Sequence, residues 1–448
     1  MVPVINPGNF LHQQLARRDL SRRNLSRRIW ALALGAGLFF MIPWFSAAAE
    51  ITLPRLEMAS RTRMNDGKLV VSSMISTDLA LTGAKYNFLL GFTLEAADIA
   101  KAFSYRNFMI APFPYLPGGA TDVSPDDYNA LVDQLNNEAD RLNNQAFLGF
   151  RIAKATAKGL FGLPLELSYF LGQGDDFCTG DDFSSIFGIA PFGTDFKGFL
   201  YFPDGIGGVP TRQYNGIYGV RGTGISLALT KWTSFVPILY LYQDFASTPY
   251  YLNPGTSVFG GGNLYSGDLR MLIYHGALDL EVFGGVTTTP NLDTSIRGGL
   301  MFHLGSASGA EFFAQGGIPG WTLGKDLSID NLFFLMEPRL HFNNFGIIVT
   351  FFYHPVEYIH ILTDDERGRA DLNVKFQIGK ADSGFTGGIE LGGNLKLAGL
   401  QDFTFHLSPF VSFISGGLRW DAKIQLNPSD YTTPAEMLEL FIGVRTAF

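Results

Sequence analysis

Cysteine is almost missing from this chain: Cys178 is the single one among 448 residues. An internal disulfide and a cysteine-based zinc site are therefore excluded. Charge is scarce as well, at 17% against roughly 25% for an ordinary globular chain. The net charge of −8 argues against nucleic acid as a partner. Beyond Glu50 no apolar run reaches eighteen residues without a charge, so that part holds no candidate spanning helix. There is no G-x-S-x-G elbow, phosphate-binding loop or H-E-x-x-H helix, and no catalytic, cofactor-binding or metal residue is assigned. The chain is read as not an enzyme. What is abundant is glycine (52), phenylalanine (41) and hydrophobic residues generally (46%), which excludes disorder and fits many strands and turns.

Residues 1–49 read as an address. Arg17, Arg18, Arg22, Arg23, Arg27 and Arg28 stand against Asp19, and the apolar stretch Ile29 to Ala49 follows, ending in Ser46-Ala47-Ala48-Ala49. A positive region, an apolar region and a small-residue cleavage site make a secretory signal peptide. The alternative is a retained anchor, since about 20 apolar residues span a bilayer. Residues 50–448 are then the mature chain, with a net charge of −13.

That part alternates. Leu372, Val374, Phe376 and Ile378 interleave with Asp371, Asn373, Lys375 and Gln377. Leu418, Trp420, Ala422, Ile424 and Leu426 interleave with Arg419, Asp421, Lys423 and Gln425. Segments 385–397, 278–282 and 225–230 behave alike, and none puts a charge on its apolar face. A period of two is the signature of a strand with two unlike faces. A soluble sandwich alternates too. Length separates the two: many segments run about nine to thirteen residues, enough for a tilted strand to cross a bilayer.

Working back from the C-terminus, strands are expected at 437–448, 416–426, 402–413, 385–397, 370–379, 344–354, 332–341, 309–316, 294–303, 278–287, 267–275, 233–244 and 221–231, then 163–172, 146–157 and 85–96. Their connections alternate between short and longer, with 398–401 out of step. The fold class predicted is all-β transmembrane: a single antiparallel up-and-down barrel of about 16 strands, range 14–18. Segments 51–64 and 68–80 are either further strands or an N-terminal piece folded into the lumen. The last strand, Leu438 to Phe448, resembles the C-terminal signal by which bacterial barrel proteins are recognised for assembly. That resemblance implies the barrel-assembly machinery as a partner through Phe448, outer-membrane lipid as surroundings and the bacterial outer membrane as location.

Two insertions interrupt the barrel. In 98–145, Ser124-Pro125-Asp126-Asp127 supplies an N-cap, a first-turn proline and acidic residues suited to the helix dipole. A short amphipathic helix is expected there, either a constriction over the pore or a loop packed on the rim. In 173–220, Gly174-Asp175-Asp176-Phe177 is followed by Gly180-Asp181-Asp182-Phe183. This is read as a solvated acidic loop in preference to a calcium site, because the spacing is not that of an EF-hand. His354, Glu357 and His360, before Asp364 and Asp365, are read as loop residues after a strand, not metal ligands.

The residues expected to line a pore are Arg270, Asp279, Glu281, Arg297, Glu337, Arg339, Asp371, Lys375, Glu390, Lys396, Arg419, Asp421, Lys423 and Arg445. Mixed signs allow cross-strand pairing and a transverse field. The function expected is a porin-like channel for passive uptake of small solutes. The aromatic content and the apolar stretch Met109–Leu116 also resemble the architecture of FadL-family fatty-acid transporters, although the Asn-Pro-Ala motif of that family is absent. A barrel-anchored enzyme and a surface adhesin are the remaining alternatives.

Overall fold

The alternating segments form strands of 9 to 16 residues in a computed structural model. It describes residues 50–65, 67–96, 108–110, 146–190, 192–195, 216–244, 264–288, 294–306, 309–324, 326–354, 369–379, 384–396, 403–428 and 437–446. The chain divides into two units, Met1–Ile51 with Leu81–Ala84 and Thr52–Ala80 with Lys85–Phe448; the barrel is the second. Its strands are β1 (Glu50–Asn65), β2 (Lys68–Thr82), β3 (Tyr86–Ala96), β4 (Phe108–Ile110), β5 (Ala146–Lys158), β6 (Leu165–Phe177), β7 (Tyr218–Leu229), β8 (Phe235–Asp244), β9 (Leu264–His275) and β10 (Leu278–Thr288). They continue as β11 (Thr294–Gly305), β12 (Ala310–Thr322), β13 (Phe333–Phe342), β14 (Phe345–His354), β15 (Arg369–Gly379), β16 (Phe385–Lys396), β17 (Thr404–Ser415), β18 (Leu418–Leu426) and β19 (Leu438–Thr446).

Each long strand pairs antiparallel with its sequence neighbour, and β1 closes on β19 from Glu57↔Arg445 to Arg63↔Glu439. β4 is a three-residue addition, parallel to the start of β5. The wall thus has eighteen antiparallel strands, correcting the expected sixteen. Residues 51–64 and 68–80 are both wall strands, not a lumenal piece. Between β12 and β13 the connection is shorter than expected because β12 runs on to Thr322. Residues 1–49, the helix expected near 124–142, Glu357 to Asp365 and Phe448 lie outside the described residues, as does the His354 side chain. No helix among the described residues is long and apolar enough to cross a membrane.

Connections at one end are short, from two to six residues at 276–277, 343–344, 416–417 and 159–164. Gly416 and Gly417 carry φ of 62° and 75°, and positive values at both central residues match the right-handed twist of the hairpin. Most of the connections at the other end are longer.

The two faces differ as the alternation requires. On β8 the inward Val236, Ile238, Tyr240, Tyr242 and Asp244 are buried, whereas Leu239 and Leu241 project outward and are 41% and 50% exposed. β13 buries Phe333, Leu335, Glu337 and Arg339 and exposes Phe334, Met336 and Leu340. Such an outer surface inverts that of a soluble protein, where large contiguous apolar patches are rare. Aromatic residues gather near the short turns: Trp232 against Phe235, and Phe413 stacked on Trp420. An apolar band edged by aromatics is the outer surface of a barrel set in lipid.

This arrangement predicts a position-dependent cost. Leu269 points outward at mid-strand in β9, so Leu269→Arg should destabilise the barrel by about 2–4 kcal/mol. The urea midpoint for folding into lipid vesicles measures it.

Candidate functional site

The principal buried cluster lies inside the cylinder. After β6 the chain turns inward at Cys178 (φ 63°) and Gly180 (φ 86°) and forms helix α1 (Asp181–Phe187). Gly188, in the left-handed region, ends it, with its N–H on Ser184 O at 3.0 Å, the usual glycine stop of a helix. At the far end of this connection Ile217 N–H donates to Phe177 O at 3.0 Å, so the excursion leaves and rejoins the wall at one place. Gly299 and Gly317 make room: a Cβ there would lie 2.7 Å and 3.2 Å from Ile217 side-chain atoms.

Rings fasten the segment first. Phe177 packs 5.1 Å from Phe283 and 5.2 Å from Tyr240, and Phe183 lies 5.1 Å from Phe192. Both Phe177 and Phe183 are fully buried, each contributing about 1.5–3 kcal/mol.

Charges fasten it next. Arg270 on β9 is fully buried; its Nε and Nη2 donate to Glu281 at 2.7 and 3.1 Å, and its Nη1 donates to Asp182 of α1 at 2.5 Å. Glu281 also accepts from Cys178 N–H at 2.6 Å, while Gln315 donates to Cys178 O. Burial, then the neighbouring Glu281, pushes the Cys178 thiol well up, so it stays protonated at neutral pH. Farther along, Glu337 on β13 accepts from Thr194 Oγ1 at 2.6 Å, Asp195 N–H at 2.8 Å and Thr350 Oγ1 at 2.7 Å. Arg339 bridges Glu337 (2.5 Å) and Gly193 O. Lys375 on β15 ends the series, 2.9 Å from Asp195. The described part of the segment is thereby held against the inner faces of β9 to β15.

A further network sits on the same side. Asp268 receives Arg297 at 2.6 and 2.8 Å and Tyr242 Oη at 2.8 Å, with Tyr218 Oη on Asp244 at 2.9 Å. The remaining arc carries its own pairs: Arg61 with Glu439 (2.6 Å), Lys423 with Glu390 (3.3 Å), Arg151 with Asp78, and Arg445 with Asp421 (3.9 Å).

The structure therefore brings Arg270 to Glu281, Arg339 to Glu337, Lys423 to Glu390 and Arg445 to Asp421. Arg270, Glu281 and Glu337 are fully buried between wall and segment; Asp279 on β10, Arg297 on β11 and Arg339 on β13 are also buried. Asp371 is buried on β15, and Arg419 stands opposite Arg445 in register. Lys396 lies on β16, its side chain outside the described residues.

The acidic repeat is not a solvated loop. Asp175 pairs with Lys154 at 2.8 Å, Asp176 with Arg221 at 2.9 Å, and Asp182 with Arg270. No group of metal-holding residues occurs among the described residues. The described segment entering the cylinder belongs to the second insertion, not to 98–145. Sequence reasoning passed over Asp268, Gln315 and Asp195. Only Asp268 left a signal, sharing with Arg270 the polar face of β9.

Two ion pairs should respond differently. Glu281→Gln leaves Arg270 buried without its main carboxylate and should cost about 3–5 kcal/mol. Lys375→Met breaks a partly exposed pair and should cost about 1 kcal/mol or less. Urea midpoints of the two variants in vesicles give the comparison.

No family model and no curated protein matches the sequence. Among solved structures the chain is similar in barrel form to OccD3 (OpdP) of Pseudomonas aeruginosa, with 8% identity, 89% of this chain and 93% of that one covered, and a TM-score of 0.45. OccAB2 of Acinetobacter baumannii gives 12%, 90%, 98% and 0.45. A Rhodopseudomonas blastica porin triple mutant gives 9%, 89%, 100% and 0.41.

Proposed function

We propose that this chain is a bacterial outer-membrane channel through which small polar solutes diffuse, with residues 1–49 as its export sequence. The observation that carries this reading is the inversion of faces: a closed antiparallel wall, apolar outside, whose inward side chains on the arc away from the infolded segment are mostly charged and hydroxylic. An eighteen-strand cylinder is wider than side chains can fill, since eight strands already suffice to enclose a packed interior. The segment formed by residues 178–190 and 192–195 occupies one side. The path runs along the other, past the inner faces of β16–β19 and β1–β3.

That arc is lined by Arg61, Glu439, Lys423, Glu390, Asp421, Arg419 and Arg445 on β1, β16, β18 and β19. Ser72 and Ser76 add hydroxyls from β2. Opposite charges close together suit polar and zwitterionic solutes. A charged wall disfavours the fatty-acid-transporter reading, which needs a continuous apolar surface. Outer-membrane lipid is the surrounding partner, the terminal strand ending at Phe448 the part offered to the assembly machinery, and no catalysis is assigned.

Reconstituted into planar bilayers, the protein should give steady conductance steps. Changing Arg61 and Lys423 to Gln should shift the reversal potential in a salt gradient towards cation preference, because two positive side chains leave the wall. Silence of the wild-type barrel, folded by its heat-dependent gel migration, would overturn the channel.

A further inference from the structure

At the short-turn end, four adjacent strands carry a row of alternating acids and imidazoles beneath the infolded segment. His303 on β11 meets Asp279 on β10 through Nδ1 at 2.9 Å and faces Glu311 on β12 through Nε2 at 3.6 Å. Glu311 also faces His341 Nε2 at 3.3 Å and Arg339 at 3.5 Å, both on β13. The residue His303 is only 8% exposed. Its ring plane is covered by Phe192 of the segment, with centroids 4.5 Å apart and planes inclined by 14°. The next residue, Gly193, is held through its carbonyl by Arg339.

A neutral imidazole donates from one nitrogen only; the protonated ring donates from both. Carboxylates at both ring edges are therefore served together by the cation alone. A cation stacked on a phenyl face is also held more firmly than a neutral ring. The other titratable and charged groups on β10 to β13 and the segment are Glu281 on β10, Arg297 on β11, which is paired with Asp268, Glu337 on β13, and Cys178, Asp181, Asp182 and Asp195 on the segment. Glu281, Glu337 and Asp182 already have cationic partners in Arg270 and Arg339, and Asp195 has Lys375.

We infer that His303 is a proton-operated clamp on the infolded segment: its protonated ring grips Phe192 and ties β10 to β12, and deprotonation loosens the segment from the wall. Histidine is the side chain whose charge changes most readily within the physiological pH range, so the clamp tightens in acid and slackens as the ring loses its proton in alkali. Because the segment narrows the lumen, this deepens the channel reading and supplies it with a regulatory input.

Cys178 provides a built-in reporter, being the chain's single cysteine and fully buried at the root of the segment. Its modification by a small methanethiosulfonate reagent should follow loosening of the segment. Rates are compared for wild type and His303→Phe in the full-length, detergent-solubilised barrel at pH 5.5 and 8; thiol ionisation affects both proteins alike and cancels in the ratio. His303→Phe keeps a stacking ring but carries no charge. It should label about fivefold faster than wild type at pH 5.5, the effect of a contact worth about 1 kcal/mol, and at the same rate at pH 8. A ratio that is the same at both pH values would overturn the clamp. His303→Asn, a smaller uncharged replacement, serves the same comparison should the phenylalanine variant not fold. Labelling requires only a folded barrel, so a protein that conducts no ions would remove the channel reading while leaving this test decisive.

Discussion

A sheet placed in hydrocarbon cannot leave an edge. Unpaired backbone N–H and C=O groups have no water to turn to there, and each costs several kcal/mol. The seven cross-strand pairs between β1 and β19 meet that requirement, and other features follow from them. Closure makes an inside and an outside, and the two-residue period of the strand then assigns every side chain to one or the other. Closing eighteen strands also sets a circumference too large for wall side chains to fill. Something else must enter the cylinder, or the interior stays wet.

Both outcomes occur in one barrel. On one side the segment after β6 lies on the wall and produces an interior resembling that of a globular protein, with Phe177, Phe183, Phe283 and Phe313 almost free of solvent. Charges trapped in such a place are costly unless paired. Each principal one is paired: Arg270 lies between Glu281 and Asp182, and Glu337 joins Arg339 to the backbone at Asp195. These contacts span wall and segment, so they fix the segment's position as well as its stability. On the other side the pairs Arg61–Glu439 and Lys423–Glu390 run from strand to strand along the wall.

Strands such as β15 and β18 were legible because their two faces differ in chemistry at every step. β1 was harder to read. Ile51 and Leu53 share parity with Arg55, Arg61 and Arg63, and the outward positions include Ser60 and Thr62, so neither face is clean. β2 is blurred by the outward hydroxyls Ser73 and Thr77 and the inward Met74. Leaving these two strands undecided produced the count of sixteen. The continuation of β12 through Gly317, Ile318, Pro319 and Gly320 carries residues typical of turns, which hides the strand. The infolded segment was invisible for another reason. Its partners are distant in sequence: 88 residues separate Asp182 from Arg270, and 180 separate Asp195 from Lys375. Two identical Gly-Asp-Asp-Phe tetrapeptides meet different fates, one ending a strand and the other opening α1, because only the surrounding wall distinguishes them.

Yet the inner face holds a clue that alternation alone does not use. Inward positions of β8 to β14 supply large apolar side chains: Tyr240, Leu272, Phe283, Met301, Phe313, Leu335 and Phe352. Inward positions on much of the remaining arc supply Ser72, Ser76, Thr386, Ser408 and Asp421, with Met74, Phe410 and Phe441 as exceptions. A water-filled lumen gives no reason to place seven large apolar groups on consecutive inward rows, since each loses about 1.5–3 kcal/mol of burial if left wet. Their presence requires a cover, and its place is the stretch of wall where they cluster. Once the strands are assigned, the distribution of inward aromatic and aliphatic residues marks the arc that must be covered and, by exclusion, the arc left for water.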